Sequence, residues 1–541
     1  MPTTRGSGTG HLVVLVGAGP AGLYLTAKLQ ADGHTVLILN RDIKPGGLAE
    51  YGIYFTKHKM KEGLRKQFRR ILAPSQVLYF GNVAVGGGQA VRLEDLRRVG
   101  VSAIVVAAGA QGVKSLELPG EAGPCVYHAK DLVYHYNKLP PFSQQPFPTG
   151  KRVAVVGIGN VMVDVAHYLI NVRQVDEVIA VARRGPAERA YDDLEMKVIA
   201  ANIDQEALHR ELERIRSRLK AVGQDTEVLF KELTKDCGVP AKDGPSPTRL
   251  TFRFLSSPIA VIRAPDGSLN ALEVEETTLV EKEGRLSAKG LGEKSQIPVD
   301  TVIFAIGDRV DPSLGLPPGG TGYATAPPGA NGVDPEMARY QAYDPETAAP
   351  IEGTFVVGWS RSASEGVVGK ARVDGERGAA VINRFLANRP GRSLSEVYAS
   401  IGSLYRQIEG DGRRVIPKGL WRLLESIERA EAGRRGLKEY KFATNEEMLD
   451  AMEAHLAPLT ARQAKRLTGP QIPSHLLKAM RLYSACLPKG PGLTGEELAA
   501  RTGMAELGSE EFTGILTQLE ATGELVRLTT SPPRWRLARI P

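Results

Sequence analysis

One pattern, which occurs twice, constrains this 541-residue chain more than any other feature. "LVVLVGAGPAGLYLTAKLQADGHTVLIL" reads as strand, Gly-rich turn, helix and second strand, and "KRVAVVGIGNVMVDVAHYLI" repeats the order at 151–170. In the first copy Gly17-x-Gly19-x-x-Gly22 falls where the strand gives way to the helix. There the first glycine makes the turn, the second lets a pyrophosphate approach the backbone, and the third lets helix pack on strand. The free N–H groups of the helix N-terminus then hold the phosphates. In the second copy Gly157 and Gly159 precede Asn160, and Met162 takes the third-glycine position, which predicts a wider helix–strand spacing. Two such units predict an α/β chain with two Rossmann-like dinucleotide-binding domains, most simply one for a flavin and one for a nicotinamide.

The residues at the end of each unit should read the adenosine ribose. The first unit ends "VLILN", so Asn40 stands where an acid is usual; its amide can still pair with hydroxyls, with Arg41 beside it. The second runs into Arg183 and Arg184, in the region where an acid selects NAD and an arginine accommodates the 2′-phosphate of NADP. Paired guanidinium groups match phosphate geometry; a solvated strand end is the alternative.

Composition narrows the chemistry. With 42% hydrophobic residues the chain can bury two or three cores. Cys125, Cys237 and Cys486 are far apart, with no C-x-x-C, which excludes a disulfide framework, a dithiol redox centre and an all-cysteine iron–sulfur site. Any redox cofactor is therefore held without sulfur ligation. The long apolar N-terminal run is broken by Gly17, Gly19, Pro20 and Gly22, so a folded nucleotide-binding unit, cytoplasmic and with no membrane span, is expected. A net charge of +8 favours acidic partners.

"VGAGPAGLY", "GGLAEYGI", "VVAAGAQG", "GIGNVMVDVA", "ARRGP", "VIFAIGDR" and "GWSRSASEGVVG" occur in an order that resembles the adrenodoxin-reductase type of NADPH–ferredoxin reductase. A weaker echo, "VIPKGLWRLLESIERAEAG" and "ATNEEMLDAM", extends the resemblance to about 455. It implies an FAD-binding domain in two parts, 1–111 and 311–390, around an NADPH-binding domain, 112–310, then helices at 391–456. It implies that Gly17, Gly19 and Gly22 hold the FAD pyrophosphate, with Leu48 near the flavin and Gly109 and Gly307 at cofactor-facing strand ends. Gly157, Gly159, Asn160 and Val161 would meet the NADPH pyrophosphate, and Arg183 and Arg184 its 2′-phosphate. Trp359 would stack by the nicotinamide–flavin region, and Gly366 and Val367 would aim N–H groups at the flavin pyrimidine. His58, Asp164 and Glu428 align with polar residues near the flavin, as tuning groups, since hydride transfer needs no protein acid or base. Where relatives carry Glu-x-x-Glu after the arginines, this chain has Glu195 and then Val198.

The resemblance further implies an acidic ferredoxin, or an iron–sulfur partner subunit, as electron acceptor. Two helical stretches, 57–70 and 209–223, are basic enough to dock one, Arg210, Arg214 and Arg218 sharing a face; pairing with Glu206, Glu211 and Glu213 is the plainer account. Residues 457–541 read as a linker and a winged-helix-like extension, with Thr494 and Ser509 as N-caps. Its presumed recognition helix, 509–521, is acidic, which argues for protein docking over nucleic acid. Three readings stand at this point: a free-standing ferredoxin reductase; the reductase subunit of a larger complex, such as a 2-oxoacid oxidoreductase, docked through 457–541; and a redox-sensing DNA-binding regulator.

Overall fold

The computed structural model describes residues 9–89, 91–241, 244–327, 329, 334–363, 368–456, 493–501, 516–517, 525–528 and 533–537. The chain divides into two units, Met1–Glu50 with Lys57–Gln111 and Arg309–Pro541, and Tyr51–Thr56 with Gly112–Asp308. In chain order the principal helices are α1 (Pro20–Ala31), α2 (Leu48–Tyr51), α3 (His58–Ile71), α4 (Asn160–Tyr168), α5 (Asp193–Met196), α6 (Gln205–Lys220), α7 (Val368–Ala387), α8 (Leu394–Gly410) and α9 (Lys418–Arg434).

The first unit is built on a seven-stranded sheet. Its order is Gln341–Asp344, Ala349–Val356, Ala103–Val106, Leu12–Val16, Thr35–Asn40, Val77–Gly81 and Ile416–Pro417. The inner pairings are parallel and the two edge pairings antiparallel. Parallel strands are covered on both faces, and so "LVVLV" and "TVLILN" are buried at every position. α7 crosses α1 at close range: a Cβ on Gly375 would lie 2.2 Å from the Ala21 carbonyl oxygen, and only glycine permits that approach.

The second unit carries a five-stranded parallel sheet in the order Arg249–Arg253, Glu177–Val181, Arg152–Val156, Thr301–Phe304 and Val126–His128. An antiparallel three-stranded sheet is formed by Ser256–Arg263, Leu269–Lys282 and Arg285–Pro298. Each unit has a core of its own, around Leu37, Ile104 and Leu404 in the first and around Val155, Val163 and Ile215 in the second. Met162 is fully buried in the second core, so a side chain fills the place where the first fingerprint has glycine.

Of the extension, the strands Leu493–Thr494, Arg534–Leu537 and Leu525–Leu528 form an antiparallel sheet in that order. Thr494 caps the helix Gly495–Arg501 in a reciprocal box with Glu497. Ser509 and the linker before 493 lie outside the described residues, as do Gly366 and Val367. Among the described residues no helix is long and apolar enough to cross a membrane.

Candidate functional site: two glycine turns and their surroundings

In the first unit the strand Leu12–Val16 ends at Gly17, whose φ is +101°. A Cβ there would stand 2.6 Å from the Ala107 carbonyl oxygen, and one on Gly22 would stand 2.9 Å from the Gly17 oxygen. At Gly19 the nearest atom would be 3.9 Å away, which is ordinary contact. The three glycines therefore do three different things: Gly17 turns, Gly22 packs, and Gly19 leaves open space above a helix that starts with Pro20 and has no side-chain cap. Uncapped first-turn amides beside open backbone form a cradle for a phosphate group.

Asn40 is buried, and its carboxamide is taken up by the chain. Its Oδ1 accepts from the Ala18 N–H at 2.9 Å, and its Nδ2 donates to the carbonyls of Asp42 and Lys44 at 2.8 and 3.1 Å and meets the Tyr79 hydroxyl at 3.1 Å. It staples the glycine turn to the segment beyond the strand; the exposed Arg41, bonded to Asp42 and Gln111, is the polar neighbour left outside. Leu48 opens α2, half-buried.

Gly109 adopts φ +72°, and its carbonyl accepts from the Ser360 hydroxyl, which brings it to the turn that bears Trp359. Asp374 of α7 fixes that turn: it accepts from the Gly358 N–H and from Arg361, both at 2.5 Å. Trp359 is half-buried, one residue from that anchor.

His58 begins α3, with Nδ1 3.7 Å from the Glu439 carboxylate. Burial, helped by Lys61, Lys438 and Arg65, outweighs Glu439 and lowers its pKa from the ordinary histidine value. Glu428 is buried on α9 and accepts from the Lys44 ammonium at 2.5 Å. It belongs to a set of buried charges with Glu50 at the centre, which pairs with Lys44, Arg65 and Lys441 at 3.2, 2.6 and 2.9 Å. Burial alone would raise the Glu50 carboxyl, but the three cations hold it well below the usual range. Removing one partner from such a set costs about 3–5 kcal/mol, because a desolvated charge is left behind.

In the second unit Gly157 repeats the role of Gly17, with φ +122° and a Cβ position 2.4 Å from the Ala305 oxygen. At Gly159 the nearest atom would be 4.0 Å away, again open. Asn160 starts α4 and exchanges hydrogen bonds with Asp192, at 3.0 and 2.7 Å, which ties the segment after the arginines back to the glycine turn. Val161 is exposed at 44%, an apolar side chain standing in solvent on the first turn of α4. Asp164, half-buried on the same helix, adds its charge to the burial that raises the Tyr136 pKa. Gly307, φ +88°, lies just beyond the strand Thr301–Phe304, next in the sheet to Arg152–Val156.

The backbone at Arg183 and Arg184 is fixed while their guanidinium groups are left over. The Arg183 carbonyl accepts from Thr277 and the Arg184 carbonyl from the Leu255 N–H. Neither side chain has a hydrogen-bond or ion-pair partner among the described residues; Arg183 is exposed and Arg184 half-exposed. A cleft nearby in sequence is lined by Arg189, Tyr191, Asp192 and Glu195, while Val198 packs on the core.

Sequence reasoning singled out the glycines and the arginine pair but not Lys44, Glu50, Arg65, Asp374, Glu439 and Lys441. A lone carboxylate such as Glu50, or a run of charge near position 439, reads as solvated surface; only the tertiary fold makes these groups neighbours.

The pyridine nucleotide-disulphide oxidoreductase profile matches residues 11–229. NADPH-ferredoxin reductase FprA of Mycobacterium leprae is 27% identical over 81% of this chain and 98% of its own. The human mitochondrial NADPH:adrenodoxin oxidoreductase is 26% identical over 81% of this chain and 91% of its own. The solved structure of Mycobacterium tuberculosis FprA in complex with NADPH superposes with a TM-score of 0.67 at 26% identity, covering 82% of this chain and all of that one. Fold and turns together define an oxidoreductase of the α/β class with two Rossmann-like dinucleotide-binding units. Within that class the chain is similar to the adrenodoxin-reductase type of NADPH–ferredoxin reductase.

Proposed function

We propose that this enzyme carries electrons from NADPH to an iron–sulfur protein, with FAD resident on the Gly17–Gly22 turn and NADPH on the Gly157–Asn160 turn. Bound FAD supplies the conversion of a hydride, taken from the nicotinamide, into electrons released singly. The chain's own contribution is binding and orientation. Gly19 and Gly159 give phosphates access to uncapped helix N-termini, and Asp374 holds Trp359 in its turn. His58, its pKa lowered, is neutral near pH 7 and adds no charge to the site.

The observation that carries this reading is the unpartnered Arg183–Arg184 pair beyond the second glycine turn in sequence. In Arg183→Ala/Arg184→Ala, KM for NADPH should rise tenfold or more, about 1.4 kcal/mol per decade, with NADH use little changed. Equal losses with both nucleotides would refute the phosphate role, and a colourless wild-type protein would refute the flavin.

The acceptor we infer is an acidic ferredoxin, and the basic surface that supports this is the outer face of α3 and α9. These helices are joined by Arg69 and Glu425 at 3.0 Å. Their exposed Lys59, Lys66, Arg70, Arg422 and Arg429 have no acidic partner among the described residues. Complementary charge of this kind accelerates encounter and sets orientation.

A further inference from the structure

The buried charges of the first unit join stretches of chain far apart in sequence: Lys44 and Glu428, in direct contact, are 384 positions apart. Lys44 and Glu50 come from the segment after the strand Thr35–Asn40, Arg65 from α3, and Glu428 and Glu439 from α9 and the chain just beyond it. That first segment also forms a wall of the Gly17–Gly19 turn. The Gly46 N–H donates to the Ala18 carbonyl at 2.8 Å, and a Cβ on Gly47 would come within 3.1 Å of the Gly19 Cα. One side of residues 44–51 thus touches the turn, while Lys44 and Glu50 reach into the buried charges.

Buried ions hold a fold together no better than apolar packing does, since desolvation offsets their attraction; what they can add is a fixed arrangement. Glu50 receives Arg65 on both oxygens, at 2.7 and 2.6 Å, and Arg65 also reaches Glu439. Lys61 reaches Glu439 at 3.1 Å. Glu428 offers one oxygen to Lys44 while the other is buried with no hydrogen-bond partner. An apolar pair would fill the same space without that unmet oxygen, so the set is better explained by placement than by net stability.

We propose that the stretch 428–441 is part of the FAD seat: Glu428 and Glu439 are positioning residues that, through Lys44, Arg65 and Glu50, hold residues 44–51 against the Gly17–Gly19 turn, so that flavin retention depends on them. This rests on the assignment of FAD to the first turn.

The test uses the purified full-length holoprotein. FAD release on dilution, read by flavin fluorescence, and FAD titration of the apoprotein are compared for wild type, Glu428→Gln, Glu439→Gln, Glu439→Asp and Leu404→Ala. Leu404 is a fully buried core residue of α8, and its truncation is the control for general destabilisation. The two Gln variants are expected to raise the FAD Kd at least ~tenfold. At a matched fall in Tm, Leu404→Ala should stay within about threefold of wild type, and Glu439→Asp, which keeps the charge, should recover most of the binding. The proposal is overturned if the Gln variants keep the wild-type Kd, or if they lose flavin only in step with Tm as Leu404→Ala does. A wild-type protein without flavin would remove the first-turn assignment and this proposal with it; a yellow wild type whose Gln variants also hold flavin tightly removes the proposal alone.

Discussion

Asn40 occupies the strand end where an acid would be expected to grip ribose hydroxyls, yet all of its hydrogen-bonding capacity is directed inward. Its Nδ2 faces two carbonyls, Asp42 and Lys44. Asn40→Asp would set a carboxylate oxygen against both and take the Nδ2 donor from the Lys44 carbonyl, while the Asp42 carbonyl keeps the Tyr79 hydroxyl and the Asn82 N–H, so restoring an acid here should not restore a ribose grip. The expected loss is about 3 kcal/mol, from a carboxylate set against two carbonyls and a buried acceptor left unpaired, measured by denaturant unfolding of the purified variant; wild-type stability would refute the stapling role. The glycines, by contrast, were legible in the sequence, because their reasons are local: a turn, a close approach and a helix start, all within six residues. Asn40 was legible only as a departure from a pattern. Its partner Tyr79 lies 39 positions away, and nothing in the residues around either announces the contact. Glu50 and Glu439 carried no signal at all, since a single carboxylate reads the same whether the fold buries it or leaves it in water.

Helices show the same division between what spacing reveals and what it hides. Arg214 and Arg218 do share a face of α6, as four-residue spacing requires, but that face is turned toward the strand Leu269–Lys282. Arg214 bonds Glu211, Glu276 and the Phe254 carbonyl; Arg218 bonds Glu276 and the Thr277 carbonyl; Arg210 is paired with Glu206. Periodicity says which residues lie together and leaves open what they face. Among the described residues, Lys59, Lys66 and Arg70 of α3 and Arg422 and Arg429 of α9 are exposed cations without an acidic partner. Lys66→Glu with Arg70→Glu should therefore raise KM for a plant-type [2Fe–2S] ferredoxin about tenfold at low salt, with the gap closing by roughly 0.5 M salt as screening sets in. NADPH-driven ferricyanide reduction, which needs no docking, should be unchanged. An unaltered ferredoxin KM would discard this face. At the start of α9, Lys418 is buried and its ammonium donates to the carbonyls of Pro74 and Val77 at 3.0 Å each and of Leu72 at 3.4 Å. Burial, with Arg422 adding to it, brings its pKa down to about 8. The folded value lies below the unfolded one of about 10.4, so the folded state sheds its proton first. The penalty for burying the charge is fully present below pH 8 and is relieved as pH rises toward 10.4. Lys418→Met should cost about 3 kcal/mol at pH 7 through the buried Leu72 and Val77 carbonyls that lose the ammonium, the Pro74 carbonyl keeping the Val77 N–H, and wild type should gain on it between pH 8 and 10. A pH-independent difference would contradict the lowered pKa.

Two separate cores, each with its own glycine turn, give the chain as a whole a property that thermal unfolding can read. A ligand that binds only the folded form of one unit stabilises that unit by mass action, about 2.7 kcal/mol at a hundredfold excess over Kd. The second unit spans roughly 200 residues and owns Arg183 and Arg184; for that size each kcal/mol is worth about 2–4 °C, so saturating NADP⁺ should raise its transition by about 5–10 °C. Removal of FAD should lower the other transition, because the flavin is assigned to the Gly17 turn and its wall at residues 44–51. NAD⁺ at the same concentration should move neither by more than about 1 °C, since the free energy at stake is the arginine–phosphate contact. Differential scanning calorimetry of the flavin-loaded and flavin-stripped protein, with each nucleotide in turn, checks all three. One transition that shifts equally with FAD, NADP⁺ and NAD⁺ would mean that the two turns do not discriminate their ligands. The assignment of one dinucleotide to each unit would then have to be abandoned, whatever the glycines at 17 and 157 share.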